Sequence, residues 1–338
     1  MFKIDIHTHI LPGNLNKLTK TFSDPRFLQL DKLDEQNAIL KKDQQSFRKV
    51  GCNCWDAPER IKDCNKTDVD MQVLSTIPVL FSYWADDAEC LKLSQFLNDH
   101  ISHIVQENPE YFLGLGTIPM QNTDLAIEEM DRCVNELNFP GIEIGSNVNG
   151  KNLSEEAFHS IFKHAEKIGC SIFVHPWEMM GQSDMKKYWL PWLVGMPAET
   201  SRAICSIIFG GILDKYPALK IAFAHGGGAF PFTIGRIEHG FNVRPDLCAI
   251  DNERLPSSYL EHIYVDSLVH DEKAMSFLID TLGENQIAMG SDYPFPLGEH
   301  HPGKLIEGMN LSDSTKQRLL AGTALEWLGL DQNEFTRN

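Results

Sequence analysis

Phe2-Lys3-Ile4-Asp5-Ile6-His7-Thr8-His9 is the stretch on which the reading of this chain turns. It is a short apolar run of strand character brought to an end by two imidazoles. Side chains at i and i+2 of a strand point the same way, so His7 and His9 can grip one ion without backbone distortion, provided the strand end opens into a cavity. A His-x-His pair also arises by chance, and a histidine near the start of a strand can be an ordinary half-buried residue. Recurrence gives the pair its weight. Phe173-Val174-His175, Phe223-Ala224-His225 and Met289-Gly290-Ser291-Asp292 each place a possible ligand or proton carrier at the C-terminal end of another apolar run.

Apolar runs rich in β-formers recur at 2–6, 72–77, 112–118, 141–145, 171–174, 219–224, 263–266 and 286–289. Segments of helical spacing lie between them, at 88–105, 125–137, 155–168, 198–215, 273–282 and 314–328. Eight strands alternating with helices predict an α/β fold, a parallel (β/α)8 TIM barrel. A single barrel domain over residues 1–338 is the expectation, with a polar, mixed insertion lobe at about 11–56 lying over the barrel mouth. Tyr188-Trp189-Leu190-Pro191-Trp192-Leu193-Val194 is too aromatic and proline-broken for a plain connector. It either lines a pocket, with Trp192 as the candidate substrate contact, or is a buried loop.

With 42% hydrophobic and 23% charged residues, 338 residues can bury a large core. The formal charge of −17 argues against nucleic acid or an anionic membrane surface as a partner. A small anionic substrate stays open, because a local pair of arginines outweighs a distant average field at short range. The eight cysteines are scattered, the first strand begins at once without the regions of a signal peptide, and the apolar run 203–213 is too short to span a bilayer. Reduced thiols in a cytoplasm are expected.

In a parallel barrel the ends of strands one, five, six and eight converge on one mouth, although 285 positions separate His7 from Asp292. Three imidazoles and a carboxylate, His7, His9, His175 and Asp292, suit a borderline divalent ion such as Zn2+ with one position left for water. Iron, cobalt and manganese remain open alternatives. Water on such an ion is acidic enough to exchange protons near neutral pH, and an unligated histidine nearby can relay them. His225 is the candidate relay. The glycines that follow it, Gly226 to Gly228, either let substrate approach the backbone or simply make a tight turn.

Asp5-Ile6-His7-Thr8-His9, Val174-His175-Pro176-Trp177, Ala224-His225-Gly226-Gly227-Gly228 and Gly290-Ser291-Asp292-Tyr293-Pro294 resemble the amidohydrolase superfamily. Within it the chain is similar to the decarboxylase subgroup, end to end. Further motifs that carry the likeness are Phe47-Arg48, Asn53-Cys54-Trp55-Asp56 and the run from Lys187 to Thr200. The resemblance implies one zinc held by His7, His9, His175 and Asp292, with His225 beside its water and Asp292 taking part in the chemistry. It also implies that Arg48 binds a substrate carboxylate. Arg236, in Gly235-Arg236-Ile237, is implied to do so in the site of the neighbouring subunit, so a homodimer is expected. Many binuclear relatives carry a carboxylated lysine at the end of strand four, where this chain has Glu143-Ile144-Gly145-Ser146-Asn147, which favours a single metal. The implied reaction is non-oxidative loss of carbon dioxide. Its rivals are hydrolysis of a lactone or amide, decarboxylation of an aromatic acid, and ligand binding without catalysis.

Overall fold

The computed structural model describes residues 1–331, so residues 332–338 of the expected single domain lie outside the described residues. Strand β1 (Ile4–Ile10) is followed by a lobe with β2 (Gln29–Lys32), β3 (Asn37–Lys42) and β4 (Gln45–Gly51). Next come β5 (Met71–Thr76), β6 (Phe112–Thr117), β7 (Gly141–Gly145) and a short pair, β8 (Asn147–Val148) with β9 (Lys151–Asn152). The chain then forms β10 (Ser171–His175), β11 (Ile221–Phe223), β12 (Ile263–Asp266) and β13 (Ile287–Ala288). Eight of these make one parallel sheet in the order β1-β5-β6-β7-β10-β11-β12-β13. The seam closes where Ile6 N–H donates to Met289 O at 2.9 Å and Thr8 bridges Tyr293. The expected barrel with its lobe after the first strand is what the chain folds into, and all eight anticipated strands are present.

Hydrophobic patterning explains the layers. Ile4, Ile6, Val73, Leu115, Phe173 and Ala222 fill the inside of the barrel, while Trp327 closes its N-terminal end. The opposite faces of the strands, among them Ile142, Ile144 and Ile172, pack against helical residues such as Ile161, Phe162 and Ile204. The helices begin where a side chain can take their unpaired N–H groups. Asp86, Asn122 and Asp271 cap Asp87–Glu107, Thr123–Asn135 and Glu272–Leu282, each cap contributing about 1 kcal/mol. The helix expected over 198–215 is two helices, Met196–Phe209 and Ile212–Lys215. Gly211 divides them at φ +63, where a Cβ would lie 2.5 Å from Asp251 O.

The lobe is more regular than its polar sequence implied. Its three strands form an antiparallel sheet, β2-β3-β4, that buries Leu30, Leu40 and Val50 against Leu80 and Leu93. The β3–β4 turn places Asp43 and Gln44 at φ 51 and 61, the handedness that matches the twist of a two-residue hairpin. No helix among the described residues is long and apolar enough to cross a membrane.

Candidate active site

Strand β1 runs on to Ile10, so both His7 and His9 lie within it and not at its end. Their rings face inward together: Nε2 of one is 3.1 Å from Nε2 of the other. His175, the last residue of β10, lies with its ring centroid 5.1 Å from those of both. Asp292 brings Oδ1 to 3.1 Å from His9 Nε2 and 3.6 Å from His7 Nε2. His225, just past β11, has Nε2 at 3.9 Å from Asp292 Oδ2. Ligand atoms of His7, His175, His225 and Asp292 all lie within 4.8 Å of one another. Thus the five residues expected from the sequence meet at the barrel mouth.

The histidines differ in how they are held. His7 Nδ1 donates to the Asp266 carboxylate at 2.7 Å, His9 Nδ1 to Thr76 O at 2.9 Å and His175 Nδ1 to Pro176 O at 3.0 Å. A proton fixed on Nδ1 leaves a bare lone pair on Nε2, and these lone pairs point at one another. Two of them at 3.1 Å repel unless something positive lies between, and His175 Nε2 is buried with no partner among the described residues. That donor set fits a divalent ion. The Nδ1 of His225 is also buried without a partner among the described residues, so nothing fixes its tautomer. It is the imidazole best placed to change protonation.

Electrostatics agree. Burial and the neighbouring imidazoles hold His175 well below the ordinary histidine range. Burial would raise the Asp292 carboxyl, but the imidazoles of His225, His9 and His7 around it hold it well below the usual range. Burial would lower His225, yet Asp292 outweighs it and raises that ring. His225 and Asp292 both occupy left-handed backbone, φ 59 and 58, at a cost of about 1–3 kcal/mol each for residues bearing a Cβ. Asp266 helps hold that geometry by accepting from the N–H groups of His225 and Gly226, both at 2.8 Å. Gly290 permits the close approach: a Cβ there would meet Asp266 Cβ at 2.7 Å and His7 Cβ at 2.9 Å.

Above the cluster is a pocket lined by His9, His175 and Asp292 at its floor and by Phe47, Arg48, Trp177, Trp189 and Trp192 on its walls. Arg48 reaches in from β4, and its guanidinium lies 4.7 Å from the Phe295 ring centroid and 5.6 Å from those of Phe47 and Trp192. Burial lowers its pKa, and no ion pair among the described residues compensates it. Trp192 sits on the pocket wall, as one of the two sequence readings had it. Arg236 is exposed on the helix Phe230–Val243 and is not among the residues lining the pocket of its own chain.

A family model described as amidohydrolase matches residues 4–330. The chain is 55% identical over 334 residues to 2-amino-3-carboxymuconate-6-semialdehyde decarboxylase of Dictyostelium discoideum, covering 98% of this chain and 93% of that one. The chain belongs to the amidohydrolase family, in its decarboxylase branch. This amidohydrolase is also 38% identical to the enzyme of the same name from Caenorhabditis elegans, over 98% of this chain and 95% of the relative. Among solved structures it is similar to 5-carboxyvanillate decarboxylase of Novosphingobium aromaticivorans, solved with manganese. The TM-score there is 0.81 at 23% identity, covering 97% of this chain and 96% of that one, a likeness of fold.

Two features of this amidohydrolase's site were not singled out from sequence. Asp266 ends the run Ile263-Tyr264-Val265-Asp266, and its signal was the same as that of the other strand ends, a polar residue closing an apolar run. Phe295 forms part of the wall around Arg48; its run Pro294-Phe295-Pro296-Leu297-Gly298-Glu299 carries the family likeness but does not mark it as a wall residue.

Proposed function

We propose that this decarboxylase converts 2-amino-3-carboxymuconate 6-semialdehyde to 2-aminomuconate 6-semialdehyde and carbon dioxide, in tryptophan degradation through kynurenine, with one zinc per subunit. The full-length match to the Dictyostelium discoideum enzyme carries the reading. The site supports it with a desolvated arginine that has no ion pair among the described residues and faces a cluster of metal-ligand type, which suits a substrate bearing more than one negative charge.

His7, His9, His175 and Asp292 would hold the ion, three nitrogens and one oxygen being a donor set that zinc accepts. When bound, the ion supplies Lewis acidity that balances charge during proton transfer near neutral pH. Arg48 takes a substrate carboxylate into its aromatic surround, where exclusion of water strengthens the pairing and orients the bond to be broken. The substrate's amino group conjugates to the carbon bearing the departing carboxylate. Protonating that carbon creates an iminium-like acceptor beside the scissile bond, and the bonding electrons flow into it as carbon dioxide leaves. His225 is placed to move that proton, with Asp292 Oδ2 stabilising its charged form. The aromatic walls keep competing water away from the electron-deficient carbon.

Metal-loaded protein is expected to consume freshly generated semialdehyde and release carbon dioxide without any organic cofactor. Uptake of water into a lactone or amide without carbon dioxide release would place the enzyme with the hydrolases instead.

The subunit arrangement proposed is a homodimer in which Arg236 completes the neighbouring site. Phe232, 82% exposed on the same helix, with exposed Leu193, Val194 and Phe277, gives apolar surface for a second copy to cover. Mixing equal amounts of inactive Arg48→Ala and Arg236→Ala proteins under subunit exchange is expected to restore activity in about a quarter of the sites, one of the two in each heterodimer, and continued inactivity despite verified exchange would refute the sharing. All eight cysteines are unpaired and six are buried, which supports a reducing, cytoplasmic setting.

A further inference from the structure

Arg60, at the end of the first turn of the helix Ala57–Thr67, is fully enclosed, and no ion pair among the described residues neutralises it. A buried cation without a carboxylate costs several kcal/mol of desolvation, and an apolar side chain of similar volume is the usual answer to such a position. What occupies the surroundings of this one is unusual in its origin. Nη1 donates to His9 O at 2.6 Å and to Asn53 O at 3.2 Å, and Nε donates to Gln72 Oε1 at 3.2 Å. The guanidinium carbon lies 4.7 Å from the Tyr293 ring centroid, and the Tyr293 hydroxyl donates to Asp63 at 2.7 Å, three residues along the same helix.

Those partners belong to four separate parts of the site. His9 is a candidate ligand, and its own N–H donates to Tyr293 O at 2.8 Å. Tyr293 follows Asp292, whose N–H donates to His7 O at 2.8 Å, so the cation sits on the seam that sets the two ends of the ligand set against each other. Asn53 lies in the turn Cys52–Cys54 after β4, the strand that carries Arg48, and Cys54 O accepts from Leu11 N–H at 2.9 Å. Gln72 lies on β5, the neighbour of β1. A planar fork with five donors can meet acceptors on several elements at once, which an ammonium cannot do and an apolar side chain does not attempt.

We propose that Arg60 is a positioning residue that fixes the His9 backbone relative to Asp292 and anchors the base of the hairpin bearing Arg48, so that it tunes the affinity and geometry of the metal site without touching metal or substrate. The inference rests on the metal reading of the cluster above. Its test therefore measures metal and not turnover: Co2+ is titrated into metal-free wild type, Arg60→Met, Arg60→Lys and, as a control on the exposed face of the same helix, Lys62→Met. Arg60→Met is expected to weaken cobalt binding by about 10- to 100-fold and to shift the visible absorption of the bound ion, the range typical of lost outer-shell support. Arg60→Lys, which keeps the charge and one donor direction, should fall between it and wild type, and Lys62→Met should match wild type. Cobalt affinity and spectrum unchanged in a folded Arg60 variant overturn the proposal. If Arg60→Met does not fold, Gln72→Met removes one of the acceptors that orient the guanidinium, and the same unchanged readings there would refute it. Failure of wild type to bind cobalt at all would instead refute the metal reading.

Discussion

His225→Ala is expected to keep the metal and lose turnover, while His7→Ala loses both. The division follows from how each ring is anchored. His7, His9 and His175 each have Nδ1 tied to a carboxylate or a carbonyl, which commits Nε2 to accept from the centre of the cluster. His225 has no such tie among the described residues, and Asp292 favours its charged form. A positioned proton carrier contributes about 10²–10⁴-fold, so the fall in kcat should lie in that range. Metal content, measured on protein dialysed against zinc and then against buffer, should stay near one per subunit in His225→Ala and drop towards zero in His7→Ala. Loss of metal from both variants would make His225 a ligand, in keeping with its closeness to His7, His175 and Asp292, and would move the proton-carrying role elsewhere.

How much of this was legible beforehand depends on the reach of each interaction. The barrel strands could be read because each buries apolar residues on both faces and so shows as a short continuous run. The ligand cluster could be read because parallel strands deliver all their C-terminal ends to one side, which turns five distant polar residues into one prediction. The lobe's strands are half exposed, and their hairpin turns through Asp43-Gln44 without the Asn-Gly or Asp-Gly pair that usually marks such a turn, so the segment read as irregular. Arg60 was invisible for another reason. An arginine between Glu59 and Lys62 on a polar helix has every local feature of a surface residue, and only the packing of that helix over the seam between β1 and Tyr293 buries it. Asp266 stood in plain view at a strand end, but a second carboxylate near the cluster gains a meaning only once its distances to His7 and to the His225 backbone are known.

Those distances make Asp266→Asn the substitution with the widest expected effect. The carboxylate is completely buried and accepts four hydrogen bonds: from His7 Nδ1 at 2.7 Å, from the N–H groups of His225 and Gly226 at 2.8 Å, and from that of Leu268 at 3.0 Å. Burial would raise its pKa, but the His7 hydrogen bond, the His7 and His225 rings and the Gly226 N–H together outweigh it and keep it ionised. Asparagine has nearly the same shape, yet its amide nitrogen must face at least one of these donors. Two donors pointed at each other in an enclosed site leave at least one unsatisfied, at a cost of about 1–3 kcal/mol. If the His7 ring is the partner turned away, its tautomer is no longer fixed and metal affinity should fall about 10- to 100-fold. If the His225 and Gly226 N–H groups lose their acceptor, the left-handed turn that presents His225 relaxes, and kcat should fall even when excess metal fills the site. Zinc titration followed by assay at saturating metal separates the two. The expected result is a deficit in both, because one carboxylate serves a ligand and the proton carrier together. Restoration of full activity by added zinc would show that Asp266 acts through His7 alone, and unchanged metal affinity would show that the His7 tautomer is held by something else.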